Sequence, residues 1–217
     1  MPAIAMISAG APLLTRINVF TVAPENQQRL LEILQHDTDE TFRRLPGLVS
    51  LSLHRSLDGT KVANYVQRER LAPSETVRFD PSVLPHFKAV TALATVEPGE
   101  YKVESVHHTR SATSMITADA PLMTLINVFT VAPENQQRLL KILQEATELI
   151  SRLPGFISAN LHRGLDGAKV ANYAQWESRT AFEAFLADPA TEPHFARIRA
   201  IALAAPATYE VVSVHRA

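Results

Sequence analysis

Two α+β units in tandem, each a four-stranded antiparallel sheet backed by helices in the order β-α-β-β-α-β, are what the sequence predicts. Three observations carry that prediction. The string INVFTVAPENQQRLL occurs unchanged at 17–31 and at 126–140. The match continues beyond it: MISAGAPLLTRINVF at Met6 answers MITADAPLMTLINVF at Met115, LHRSLDGTKVANY at Leu53 answers LHRGLDGAKVANY at Leu161, and YKVESVH at Tyr101 answers YEVVSVH at Tyr209. Within each copy, apolar β-branched stretches alternate with stretches in which apolar residues recur every three or four positions. The period of about 109 residues is far beyond the roughly 20–50 residues of a solenoid unit and suits a small domain. We therefore place one domain at 6–108 and a second at 115–217, with 108–120 as the linker.

In the second copy, 122–131 reads as a strand. Pro133 and Glu134 then open a helix, the proline suiting the first helical position and the acid the positive end of the dipole. Leu139, Ile142, Leu143, Ala146, Ile150 and Leu153 form one apolar stripe, which Leu153-Pro154-Gly155 ends. Strands at 156–163 and 169–177 follow, joined through Leu165-Asp166-Gly167, a hairpin signal. Helical spacing returns with Phe182, Phe185 and Leu186, is interrupted by Asp188-Pro189, and resumes with Phe195, Ile198 and Ile201. The last strand spans 208–215. The first copy gives strands at 13–22, 48–55, 61–70 and 100–107, with helices at 25–44 and 74–93. This order is the split βαβ of ferredoxin-like domains. Each sheet leaves one face bare, and the other copy can cover it, which predicts an intramolecular α/β barrel.

Composition narrows the function. Of 217 residues, 46% are hydrophobic and 20% charged, with a formal net charge of -1, so the chain is an ordinary globular one without a nucleic-acid footprint. There are no cysteines, which excludes disulfides, thiolate metal sites and cysteine nucleophiles. No apolar run reaches the roughly 18 residues of a membrane span. The apolar start at 1–14 lacks a basic region and is largely matched at 115–123, so it reads as the lead-in to the repeat and the expected location is the cytoplasm.

On the third strand of the second copy, Asn172, Ala174 and Trp176 share one face, while Tyr173, Gln175 and Glu177 share the other. Trp176 is the only tryptophan, and its indole carries one donor that seeks a partner when buried. An aromatic and an amide on a half-buried strand are more often packing than a site. Taken alone, these residues define a pocket wall and no reaction.

The INVF strand, PEN helix start, LPGF turn, NYAQWES strand and AFEAFL helix of the second copy resemble the antibiotic biosynthesis monooxygenase family of dimeric α/β barrels. The whole chain reads as two such domains. The specific part is the run from Asn172 to Trp176, because the family's cofactor-free oxygenases of aromatic polyketides line their pocket with an asparagine and a tryptophan at this spacing. The resemblance implies a cofactor-independent monooxygenase that oxidises a phenolic, anthrone-type polycycle to a quinone with O2. Its partners would be that small aromatic substrate and O2, with no metal, nucleic acid or membrane. The two copies would form a pseudo-dimer within the chain, further homodimerisation being left open.

In that reading Asn172 and Trp176 hydrogen-bond to developing negative charge, and Asn127 shares their wall. Phe129, Phe182, Phe185 and Phe195 supply apolar walls. His194 is the candidate base, since imidazole titrates near neutrality, and Arg197 or Arg199 answers the arginine expected late in the second helix. Where related oxygenases can carry a tyrosine, this chain has Phe182, which has no proton to give a peroxide.

Two other readings stand beside it. Haem-degrading enzymes on this fold use an asparagine and a tryptophan, matched by Asn127 and Trp176, but their histidine ligand is expected where Leu186 stands. A non-catalytic polyketide-binding or accessory protein is the second. The first copy invites it, since Arg68 replaces the tryptophan, Ser74 replaces Phe182, and Pro73 and Pro81 interrupt the second helix. One functional pocket, in the second domain, is the expectation.

Overall fold

A computed structural model describes residues 3–69, 84–109, 111 and 113–217, the side chains of Arg43, Leu84, Pro85 and His86 excepted. The first unit comprises β1 (Ala5–Ser8), β2 (Leu13–Val22), α1 (Gln27–Glu40), β3 (Leu48–Ser56), β4 (Lys61–Glu69), α2 (Leu84–Leu93) and β5 (Ala94–His108). The second comprises β6 (Thr113–Ile116), β7 (Met123–Val131), α3 (Gln136–Ile150), β8 (Phe156–Gly164), β9 (Lys169–Trp176), α4 (Arg179–Ala187), α5 (Glu192–Arg199) and β10 (Ala202–Arg216). Pro73, Ser74 and Pro81, and the first half of the helix expected at 74–93, lie outside the described residues. Among those described, no helix is long and apolar enough to cross a membrane.

Eight strands close into one barrel in the order β10-β3-β4-β2-β5-β8-β9-β7, and every pairing is antiparallel. The two ferredoxin-like sheets meet at their edges. β5 pairs with β2 through its first half and with β8 of the other unit through its second; β10 does the same with β7 and β3. The changeovers fall at Tyr101 and Tyr209, each of which has a partner on both sides. Closure leaves the barrel without free edges.

Alternation along the strands sends one set of side chains into the barrel and the other toward the helices outside. Inside lie all four tyrosines, Tyr65, Tyr101, Tyr173 and Tyr209, together with His54 and His162, each no more than 1% exposed. Tyr65 Oη bonds His162 Nε2 at 2.8 Å and Tyr173 Oη bonds His54 Nε2 at 3.0 Å, so each unit's tyrosine meets the other's histidine. Outside, α1 and α2 cover one apolar cluster of the first unit, and α3, α4 and α5 cover two in the second. The identical PENQQ strings have a physical cause: Gln27 and Gln136 are buried and donate to the carbonyls of Ser56 and Lys61, and of Gly164 and Lys169, pinning each helix start to a hairpin.

Three expectations need correction. The stretch expected to be a linker contains β6, which pairs with β1, and together they place Ala5, Ile7 and Ile116 in the barrel's core cluster. Strands this short carry too few residues for alternation to register. The last strand of each unit begins well before 100 and 208, at Ala94 and Ala202, although Pro98 and Pro206 lie within it. Both prolines fall where β5 or β10 is paired on one side only, so an absent N–H is tolerated.

Candidate active site

The helix-covered face of β7 and β9 is where the predicted residues converge. Asn127 and Asn172 stand directly opposite each other in the β7–β9 ladder, and Trp176 pairs with Met123 at the other end of it. In the first unit the matching amides satisfy each other, Asn18 Nδ2 donating to Asn64 Oδ1 at 2.8 Å. In the second they do not: the Oδ1 atoms of Asn127 and Asn172 are both buried without a partner among the described residues. A buried acceptor left unpaired costs roughly 1–3 kcal/mol, a cost that the paired amides of the first unit avoid.

The amides sit between two apolar clusters. On one side Trp176 packs with Met123, Leu125, Phe156, Ala174, Phe182 and Phe185. Phe185 stacks on the indole, with centroids 5.1 Å apart and planes at 22°, while Phe156 and Phe182 meet it edge-on. On the other side Phe129 packs beneath α3 and α5 with Leu139, Leu143 and Ile198. Phe129 therefore lies beyond the amides from Trp176, and Phe195 touches both clusters and meets Phe185 at 5.8 Å.

The candidates on α5 stand further out. His194 lines a cleft of about 200 Å3 with Ala146, Leu149, Ile150, Leu153, Asp188, Thr191 and Phe195. Its Nδ1 is buried and without a partner among the described residues, and the Phe195 and Phe185 rings stand between it and Trp176. Arg197 is half-exposed and bonded to Glu145 of α3 at 2.9 Å, and Arg199 pairs with Glu192 on its own helix. Both arginines are engaged on the helix surface, as cations near a helix C-terminus commonly are. Leu186, at the position where a haem ligand is expected, is 50% exposed.

The first unit differs at the same place by three linked substitutions that position-by-position reading did not join. Arg16, Arg68 and Glu100 stand where the second unit has Leu125, Trp176 and Thr208. Glu100 Oε1 accepts from Arg16 Nη2 at 2.8 Å and from Arg68 Nη2 at 2.9 Å. An ion triad thus occupies the floor that is aromatic in the second unit. Only Arg68 was visible as a loss of tryptophan; its partners sit on two other strands, which spacing does not bring together.

An eight-stranded barrel of two ferredoxin-like units with helices outside defines an α/β barrel of the dimeric kind, here made by one chain. A crystal structure of an anthrone oxidase-like protein has the same fold, with a TM-score of 0.87, 24% identity and 98% and 96% of the two chains covered. A Fusobacterium nucleatum protein follows with a TM-score of 0.64, 14% identity and 95% of each chain covered. At such identities these likenesses speak to the fold alone. Residues 122–200 match the model of the antibiotic biosynthesis monooxygenase family. A Tetracenomycin-F1 monooxygenase of Streptomyces glaucescens is 46% identical over 97 residues, which cover 44% of this chain and 87% of that protein. The chain belongs to the antibiotic biosynthesis monooxygenase family, and it is an enzyme of that kind.

Proposed function

We propose that the second unit is the catalytic one and that it oxidises a phenolic polycycle of anthrone type to a quinone with O2, without a metal or organic cofactor. One observation carries this reading: beside Trp176, within the residues 122–200 that match the family model, the amides of Asn127 and Asn172 keep buried oxygens that have no partner among the described residues. An anthrone needs no outside electron source. Loss of a ring-methylene proton leaves an electron-rich enolate, which passes one electron to O2. The resulting radical and superoxide combine into a peroxide, which takes up a proton. The second methylene proton then leaves as the O–O bond breaks, giving a quinone carbonyl and water. One oxygen atom stays in the product and the other departs with both hydrogens.

The protein's part is to hold the deprotonated substrate in a dry place and stabilise its charge. As oriented, the two amide oxygens accept from a phenol hydroxyl; turned about the Cβ–Cγ bond, each amide donates to the phenolate instead. Fixed donors aimed at developing charge are worth most where water is excluded. The aromatic cluster around Trp176 offers that environment and a flat surface for a polycycle. The Arg16–Glu100–Arg68 triad places charge on the matching floor of the first unit, which argues for one working pocket per chain.

The test is oxygen uptake with an anthrone by the parent and by Asn172→Ala, Trp176→Phe and Arg68→Ala, after subtraction of the protein-free rate. We expect Asn172→Ala to lower the enzymatic rate roughly 100-fold, the scale of one lost charge-stabilising donor. Trp176→Phe also lowers it, and Arg68→Ala leaves it unchanged. Binding of the anthrone with no uptake above background in any variant would instead mark an accessory, polyketide-binding protein.

A further inference from the structure

Trp176 is only 1% exposed, so nothing reaches its ring in the arrangement described. The stacking position on the indole is held by Phe185, nearly parallel to it, which is the geometry a flat aromatic ligand would adopt. Phe185 is carried by α4, a helix held to the sheet mainly by two aromatic side chains. Only two of its nine residues, Phe182 and Phe185, are buried. Its ion pair, Arg179 with Glu183, is internal, and its cap, Ser178 Oγ accepting from Ala181 N, is local. Among the described residues no hydrogen bond or ion pair ties α4 to another element. By contrast α3 is pinned by Gln136, and α5 is joined to α3 through Arg197 and Glu145.

Both ends of α4 leave the helix abruptly, with extended backbone at Ser178 and at Asp188, and a proline follows Asp188. Two clefts meet at its C-terminal cap, Asp188. One is the His194 cleft of about 200 Å3. The other, of about 490 Å3, is lined by Pro154, Gly155, Glu177, Thr180, Ala184 and Phe185. Leu153 and Asp188 border both. A helix with open space along one side, held down by two rings and released at both ends, can move without breaking a polar contact to another element among the described residues.

We propose that Phe185 is a place-holder for the substrate: a flat aromatic ligand takes its position on the Trp176 indole as α4 swings out about Ser178 and the Asp188-Pro189 junction, and ring size at position 185 sets which polycycles enter. This rests on the reading that the second unit binds a planar polycycle.

Trp176, the sole tryptophan, reports on the exchange directly. The experiment follows its fluorescence by stopped flow as a dihydroxyanthraquinone, already a quinone and so not turned over, is mixed with the whole protein. The quenching rate should level off with rising ligand concentration, because opening of α4 becomes limiting. Phe185→Leu should raise the plateau and Phe185→Ala should raise it further, on the order of tenfold. A rate that climbs in proportion to ligand throughout, or one plateau shared by all three proteins, overturns the place-holder role while leaving the binding reading intact. If calorimetry finds no binding and the fluorescence does not change, the substrate class itself is wrong and this inference goes with it.

Discussion

His54 and His162 are the residues most at odds with their surroundings. Burial inside the barrel strips water from each imidazolium and pushes both pKa values down to about 4, against weaker backbone hydrogen bonds that pull the other way. The same burial raises Tyr65, Tyr101, Tyr173 and Tyr209, which face the two imidazoles and stay neutral. An unfolded histidine titrates near 6.5. Between about 6.5 and 4 the unfolded chain therefore binds more protons than the folded one, and stability falls as pH drops through that window, while it is flat with respect to these groups above it. The loss is on the order of 3 kcal/mol per histidine when fully developed. Urea midpoints measured from pH 7.5 to 4.5 should show the decline, and a replacement of both histidines by asparagine should flatten it. Sequence alternation correctly turns Tyr173 away from Asn172 and Trp176. It could not supply the partner of Tyr173, because His54 is 119 positions earlier and reaches it only through closure of the barrel.

At the scale of elements, α4 owes its seat to a glycine. Gly155 has φ +79°, and a Cβ there would stand 2.4 Å from Ala181 Cβ of α4. Gly10 has nearly the same backbone, φ +78°, with nothing within 4 Å. The pair separates two costs: Gly10→Ala pays only for a left-handed backbone, about 1 kcal/mol, whereas Gly155→Ala adds a steric push on α4. We expect Gly155→Ala to lower Tm more than Gly10→Ala and to shift Trp176 emission to the red, which Gly10→Ala leaves in place. Most elements were legible: Pro133 marks a helix start, Leu165-Asp166-Gly167 a hairpin, and Asp188-Pro189 the break between α4 and α5. The misreadings have a common origin in pairing. β1 and β6 are too short for a period to show, and Pro98 and Pro206 speak against a strand to any reader who cannot see that one side of it is unpaired. At the candidate site, the placement of Asn127, Asn172 and Trp176 on one face was legible because they lie on adjacent strands of one repeat, and the charged triad was not.

The whole molecule is sewn along two seams, β5–β8 and β10–β3, and each seam carries an Arg–Glu pair across it, Arg163 with Glu104 and Arg55 with Glu210. Since β5 and β10 each belong to both halves of the barrel, the units share backbone hydrogen bonds as well as the two Tyr–His contacts. Thermal unfolding should therefore be a single cooperative transition, with calorimetric and van't Hoff enthalpies in agreement. Two resolved transitions would mean that the units melt separately despite the seams.

Joining both seams within one chain also changes what a mutation can do. In a barrel assembled from two identical chains, every substitution arrives twice, and dilution pulls the partners apart by mass action. Here the halves meet at a fixed effective concentration however dilute the protein. A change such as tryptophan to arginine can be inherited by one half alone. The second half has an aromatic floor and the first a charged one, yet both close the same wall.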